Sequence, residues 1–127
     1  MARLLLVRGL PGSGKSTYAK SQPGVHLEAD MYFINDKGEY IFDRNKLHEA
    51  HKWCQRRAKE LLDSGKDVVV ANTFTTLKEL RPYIEWTEHE IVIHDCVGEY
   101  QNIHNVPEKT LKRMKARWIS KDKLFIK

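Results

Sequence analysis

The sequence lacks any apolar run of the roughly 18 residues that a membrane-spanning helix requires, so we expect no membrane partner. The short apolar start, Met1 to Arg8, leads directly into a glycine-rich segment, which favours a buried strand over a signal peptide. Cysteine is scarce, and Cys54 and Cys96 lie too far apart for the close spacing of a metal-binding motif. Without a leader or a disulfide pattern, we expect reduced thiols and a cytoplasmic protein.

An excess of acidic or basic residues is also absent from most of the chain. Residues 108–127 contain eight lysines and arginines against Glu108 and Asp122, a net charge of +6, which leaves −1 for residues 1–107 of the +5 total. This basic segment has the charge to follow a nucleic-acid backbone. A solvated helix face is an equally good interpretation.

The remaining composition is ordinary. Hydrophobic residues make up 41% and charged residues 31% of the 127 residues, which predicts one globular domain over residues 1–127. Apolar runs alternate with helical patterns. The predicted strands are Ala2–Arg8, Val25–Ala29, Asp67–Ala71 and Glu90–His94. The predicted helices begin at Lys15, Asp43, Thr76 and Pro107.

This alternation predicts an α/β fold with three layers, helices lying on both faces of a small parallel β-sheet. Ligands of such sheets bind at the carboxyl ends of the strands. Gly9, Asp30, Asn72 and Asp95 stand at or just after these predicted ends. We therefore expect them to lie near one another.

A phosphate-binding motif begins at Gly9, directly after the first predicted strand. Residues 9–16 match G-x-x-x-x-G-K-S in full, between a predicted strand and a predicted helix. Glycines let successive N–H groups point into one concavity that attracts phosphate oxygens. The predicted ATP-binding residues are Gly12, Ser13, Gly14, Lys15, Ser16 and Thr17. Lys15 is expected on the outer phosphates and the Ser16 hydroxyl on Mg²⁺.

Four segments together resemble the polynucleotide kinase-like P-loop kinases, which include the phage 5′-polynucleotide kinase domain and related small ATP-binding AAA and zeta-toxin-type kinases. The segments are Gly9–Thr17 (GLPGSGKST), Glu28–Phe33 (EADMYF), Val68–Thr73 (VVVANT) and Asn102–Met114 (NIHNVPEKTLKRM). The resemblance covers nearly the whole chain. It implies a P-loop NTPase fold and an ATP- and Mg²⁺-dependent kinase.

The resemblance also implies roles for individual residues. Lys15 would be catalytic, and Asp30 would be the general base that takes the proton from the attacking hydroxyl. Asn72 matches a residue that supports the active site, and Val106 lies in the stretch that contacts the adenine. A turn-capping role for Asp30 is the alternative.

The chain departs from the family pattern at two arginines. Phe33 stands where the family has an arginine for the substrate phosphate, and Gln101 stands where the lid arginine is expected. Since such arginines neutralise the transferring phosphoryl group, we predict Arg113 as the catalytic replacement, with Arg117 as an alternative.

The function implied by the resemblance is transfer of the ATP γ-phosphate to the 5′-hydroxyl of RNA or DNA. From its charge, we expect the basic C-terminal helix to hold single-stranded ends. The alternatives are a small-molecule kinase acting on a nucleoside or sugar, and a non-catalytic ATP-binding module.

Overall fold

Four parallel strands form the central sheet in the computed structural model, which describes residues 2–10, 12–74, 77–85 and 89–96. The strands are β1 (Arg3–Gly9), β2 (Val25–Leu27), β3 (Val68–Asn72) and β4 (Glu90–Cys96). Their order across the sheet is β2-β3-β1-β4. Because every pairing is parallel, the carboxyl ends of the strands meet at one edge. The predicted parallel sheet is confirmed.

Helices cover both faces of the sheet. They are α1 (Lys15–Ser21), α2 (Leu47–Asp63) and α3 (Leu77–Glu85). Since side chains alternate along a strand, Leu5 and Val7 pack with Ala19 of α1 on one face. Leu4 and Leu6 pack on the other face in a larger cluster with α2 and α3. The predicted three-layer architecture is therefore confirmed.

Helix α2 buries the apolar stripe that its sequence spacing predicted. Ala50, Cys54 and Ala58 are fully buried against the sheet. Its start differs from the prediction, because the side chain of Asp43 accepts a hydrogen bond from the Asn45 amide at 3.0 Å and caps a short 3-10 turn. The helix itself begins at Leu47, directly after that turn.

The ends of two strands, β2 and β4, lie two residues from their predicted positions. The predicted end of β2 at Ala29 is wrong, because the chain leaves the sheet after Leu27 and forms a 3-10 turn over Ala29–Phe33. The Ala29 amide donates to Asn72 Oδ1 at 2.9 Å, a side-chain partner that replaces a strand pairing. Strand β4 is longer than predicted, since its pairing with β1 continues until Cys96 lies beside Gly9.

Helix α3 contains Pro82 as its sixth residue, beyond the first turn in which proline is best tolerated. Glu79 lies in the first turn of α3, whereas Thr76, the predicted cap, is outside the described residues. The predicted basic helix from Pro107 also lies outside them. Within the described ranges, no helix has the length and apolarity to cross a membrane.

A buried arginine links the ends of three elements. Arg8 is fully buried near the end of β1, where its Nε donates to the Phe74 carbonyl at 3.0 Å. Its guanidinium also lies 3.4 Å from Asp95 Oδ1 on β4. Burial lowers the pKa of Arg8, and the charges of Asp95 and Glu79 oppose that shift. Arg8 thus joins β1, β4 and the loop after β3.

Replacing Asp95 should therefore destabilise the fold. Asp95→Ala leaves the Arg8 charge buried with less compensation, which is expected to cost roughly 3 kcal/mol of unfolding free energy. Urea denaturation measures the change. Asp63→Ala is the matched control, because Asp63 is an exposed carboxylate 3.2 Å from Lys59 and should matter far less. Equal effects of the two substitutions would contradict a structural role for the Arg8–Asp95 pair.

Candidate functional site

The glycine-rich loop between β1 and α1 has the backbone geometry of a phosphate cradle. Gly12 and Gly14 have φ angles of 82° and 87°, a left-handed region that glycine enters without steric cost. The Ser13 amide donates to the Leu10 carbonyl at 3.0 Å, which closes the loop on itself. The loop therefore curves at the carboxyl end of β1, immediately before Lys15.

Gly9 is required by the packing beneath this loop. A Cβ atom at Gly9 would overlap the Ser13 hydroxyl and approach the Cys96 carbonyl oxygen to 3.1 Å. The Ser13 hydroxyl is buried and has no hydrogen-bond partner within the described part of the chain. A buried hydroxyl without a hydrogen-bond partner is energetically costly. The Ser13 hydroxyl is therefore suited to donate a hydrogen bond to an oxygen of a bound ligand.

Lys15 begins α1 and lies close to two carboxylates. Burial lowers the pKa of Lys15, while the charges of Glu28 and Asp30 oppose the shift. The predicted phosphate lysine and the predicted base are therefore electrostatic neighbours, although 15 residues of sequence separate them. Ser16 and Thr17 follow in the first turn of α1, with Thr17 exposed.

Glu28 is a functional candidate that the motifs did not reveal. It is 8% exposed, and its carboxylate accepts a hydrogen bond from His26 Nε2 at 2.6 Å. Burial raises the pKa of Glu28, but the hydrogen bond from His26 and the nearby charges of His26 and Lys15 oppose burial, and the net shift is downward. The signal in the sequence was a carboxylate at the end of a buried strand, two residues before Asp30.

Asp30 lies in the first turn of the 3-10 helix Ala29–Phe33, three residues beyond the end of β2. The Tyr40 hydroxyl donates to its Oδ1 at 3.2 Å. Partial burial and the negative charge of Asp30 raise the pKa of Tyr40 to about 12. Tyr40 is therefore a protonated donor at neutral pH and orients the Asp30 carboxylate.

Asn72 holds the start of the turn that carries Asp30. Its Oδ1 accepts from the Ala29 amide at 2.9 Å, and its Nδ2 lies 3.9 Å from the Cys54 Sγ. With both ends of its amide engaged and only 7% of the residue exposed, Asn72 is fixed in orientation. The end of β3 thereby sets where Asp30 lies relative to the glycine-rich loop.

The surface next to Asp30 is aromatic. Phe33 is buried, with ring centroids of Tyr32, Tyr40 and Phe42 at 5.7, 6.3 and 5.1 Å. Ile41 and Phe42 are 60% and 50% exposed, so this cluster presents apolar area to solvent. Phe33 therefore builds a hydrophobic surface at the position where an arginine was expected.

The structure brings together part of the predicted site. Gly12, Ser13, Gly14, Lys15 and Ser16 form the loop and the start of α1, with Asp30 and the unpredicted Glu28 close to Lys15. The predicted Arg113 and Val106 lie outside the described residues, as does Gln101. Their roles stay predictions.

Comparison with known proteins identifies the family and the fold of the chain. A family model described as an AAA domain matches residues 4–117. Human NEDD4-binding protein 2 is 34% identical over 134 aligned residues, which cover 95% of this chain but only 7% of the length of that protein.

Solved structures share the fold at lower identity. The Pnkp1/Rnl/Hen1 complex includes a chain with a TM-score of 0.61 and 22% identity, covering 88% of this chain and 38% of that one. An APS kinase from Mycobacterium tuberculosis gives a TM-score of 0.59 and 16% identity, covering 91% of this chain and 96% of that one. The chain thus belongs to the AAA domain family that matches its sequence, and it has the fold of the polynucleotide kinase-like P-loop kinases, as its motifs predicted.

Proposed function

We propose that this protein is an ATP-dependent phosphotransferase that moves the γ-phosphate to a hydroxyl group, with the 5′-hydroxyl of RNA or DNA as the favoured acceptor. The observation that carries the proposal is a complete phosphate-binding loop whose Lys15 lies within electrostatic range of Asp30 at the carboxyl edge of the sheet. A phosphate-binding cation with a carboxylate nearby is what phosphoryl transfer to a hydroxyl requires. We also propose that residues 1–127 form one kinase domain acting in the cytoplasm.

The phosphates would be held by the loop and Lys15. The backbone N–H groups around Gly12 and Gly14 would supply donors, and the Ser13 hydroxyl, which has no partner among the described residues, would supply one more. Mg²⁺ would be held by the Ser16 hydroxyl together with phosphate oxygens and water, and its charge would offset that of the phosphates. These groups pre-organise the site, so that little rearrangement is needed during transfer.

Asp30 would accept the proton of the acceptor hydroxyl. As that oxygen bonds to the γ-phosphorus, the bond from phosphorus to the β,γ-bridging oxygen breaks and ADP leaves. The proton passes to the Asp30 oxygen that faces the acceptor, while the Tyr40 hydrogen bond and the Asn72–Ala29 bond keep the carboxylate in place. Arg113 would neutralise charge on the transferring group.

Two observations support a polynucleotide acceptor. The net charge of +6 over residues 108–127 suits a phosphate backbone. In addition, a similar fold occurs in a chain of the Pnkp1/Rnl/Hen1 RNA repair complex, with a TM-score of 0.61. The basic segment would bind the strand while its 5′ end enters beside Asp30.

The Phe33 cluster favours a second candidate, a small-molecule kinase. Its exposed apolar area lies beside Asp30, where an uncharged ring would pack better than a phosphate. The fold also occurs in an APS kinase and in a sugar kinase with a TM-score of 0.54. A non-catalytic ATP-binding module is the third candidate, which any catalysed transfer would eliminate.

Lys15→Ala should weaken nucleotide binding about tenfold or more, because the mutation removes a charge-assisted contact with the phosphates. Calorimetric titration with ADP and Mg²⁺ measures the affinity, and circular dichroism checks the fold. Lys20→Ala is the matched control, since Lys20 is an exposed lysine on the same helix. Unchanged ADP affinity in Lys15→Ala would contradict the assignment of the glycine-rich loop as the nucleotide-binding site.

Asp30→Asn should lower the transfer rate by about 10² or more, a usual size for a general base, and leave ATP affinity close to that of the parent. Asp36→Asn is the control, because Asp36 is an exposed carboxylate in the following turn. Rates are measured with labelled ATP and a hydroxyl acceptor. Normal turnover by Asp30→Asn would show that Asp30 only caps its turn.

An acceptor screen at varied salt concentration separates the candidates. If a single-stranded oligonucleotide is the acceptor, its affinity should fall with salt, with a log–log slope of about −0.7 for each phosphate contacted. Replacing Lys112, Lys115 and Arg117 by glutamine should flatten the slope by about 2.

The control for this charge change lies on α2. It replaces three exposed basic residues there, Lys52, Arg56 and Arg57, and should leave the slope unchanged. Transfer to nucleosides or sugars but not to oligonucleotides would favour the small-molecule kinase instead.

A further inference from the structure

An exposed apolar hairpin begins at the end of the 3-10 turn that follows β2. Ile34 and Tyr40 pair as an antiparallel bridge, and the Ile41 amide donates to the Phe33 carbonyl at 2.9 Å. We call residues 32–42 the aromatic hairpin. It holds five of the seven large apolar side chains that are exposed in the described part of the chain: Tyr32, Ile34, Tyr40, Ile41 and Phe42. Exposed apolar side chains gathered in one place commonly mark a binding surface.

Hydrogen bonds at its tip hold the aromatic hairpin in one shape. The Asn35 Oδ1 accepts from the Lys37 and Glu39 amides at 2.9 and 3.0 Å. The Asn35 amide in turn donates to the Glu39 carbonyl at 2.9 Å. Gly38 has a φ of 79° in this turn, a conformation that favours glycine. Because the turn is already closed, binding a ligand here requires little further ordering of the chain.

The rings of the aromatic hairpin are connected to the proposed catalytic base. The Tyr40 hydroxyl donates to Asp30 Oδ1 at 3.2 Å. The Tyr40 and Phe42 rings both pack against the buried Phe33 ring, with centroid distances of 6.3 and 5.1 Å. About half of each of these two residues is exposed, 45% of Tyr40 and 50% of Phe42. A flat group that packs on their exposed parts is therefore separated from the Asp30 carboxylate by about one side chain.

A nucleobase suits this surface better than a phosphate or a sugar does. The exposed rings carry no charge, and the charged residues of the hairpin, Asp36, Lys37 and Glu39, sum to −1, so a phosphate is not attracted. A sugar has no flat π face, whereas every base has one and stacks on aromatic side chains. In a nucleoside, one sugar ring separates the base from the 5′-hydroxyl. A base on these rings thus leaves its 5′-hydroxyl within reach of Asp30.

We propose that the aromatic hairpin binds the nucleobase at the 5′ end of a single-stranded polynucleotide acceptor, by stacking on Phe42 and Tyr40. Phe42 is the main stacking residue, because its ring has no polar group, whereas the Tyr40 hydroxyl is engaged with Asp30. Stacking adds to the electrostatic attraction between the nucleic-acid backbone and the basic residues 108–127, and it selects the first nucleotide. The inference rests on the transfer reaction proposed above.

The test compares two oligonucleotide acceptors of equal charge, one with a complete 5′-terminal nucleotide and one whose 5′-terminal sugar carries the hydroxyl but no base. Transfer is followed with labelled ATP, and fluorescence anisotropy of a 3′ label gives the affinity without turnover. We expect the parent to bind the complete acceptor about tenfold or more tightly. Phe42→Ala should lose that preference. Val92→Ala, which shortens an exposed apolar side chain on β4 at the opposite edge of the sheet, should keep it.

Two further substitutions separate stacking from simple apolar contact. Phe42→Leu keeps an apolar side chain without a flat ring and should lose most of the preference, whereas Phe42→Trp should keep or increase it. Because the two acceptors carry the same number of phosphates, their affinity ratio should stay constant as salt is raised. Circular dichroism checks the fold of each variant.

Equal affinity of the parent for the two acceptors overturns the inference and leaves the proposed kinase activity standing. A preference that survives in Phe42→Ala also overturns it, because the hairpin would then support the fold or bind a protein partner instead. A parent that binds and phosphorylates neither oligonucleotide overturns the polynucleotide acceptor of the proposed function itself.

Discussion

The hydrogen bond from the Ala29 amide to Asn72 Oδ1 joins the ends of two neighbouring strands, and the geometry of the site depends on it. It stops β2 at Leu27 and starts the 3-10 turn that carries Asp30. Asn72 is itself fixed because β3 lies between β1 and β2 in the parallel sheet. The register of the sheet thus sets the separation between Asp30 and the glycine-rich loop that follows β1.

Charge balance at the carboxyl edge follows from this arrangement. Lys15 is partly desolvated, and the carboxylates of Glu28 and Asp30 oppose the lowering of its pKa. A cation with two nearby carboxylates stays charged in a low-dielectric setting, where an isolated lysine would lose its proton more readily. The fully buried Arg8 and the partly exposed Asp95 form a second ion pair, which ties β1 to β4. The site therefore has an internal electrostatic framework before any ligand binds.

The two sides of the proposed reaction differ in chemistry. The loop side presents backbone donors and a lysine, which suit phosphates. The side beyond Asp30 presents the rings around Phe33, which suit an uncharged part of an acceptor. Phosphates of a polynucleotide would then have to be met by other groups, and the basic residues 108–127 provide the charge for that. A small-molecule acceptor would be recognised mainly by the rings around Phe33, and a polynucleotide mainly by the basic residues.

The sequence by itself determined the layers and the phosphate loop, because strand alternation, helical spacing and the G-x-x-x-x-G-K-S pattern are local signals. It also predicted Lys15 and Asp30 as partners, through the family resemblance. Only the tertiary structure decided where β2 ends, since that depends on a side chain 43 residues away. The contacts of Tyr40 with Asp30 and of Arg8 with Asp95 were likewise invisible in the sequence. Each joins residues from different elements, and no local pattern encodes the strand order that brings them together.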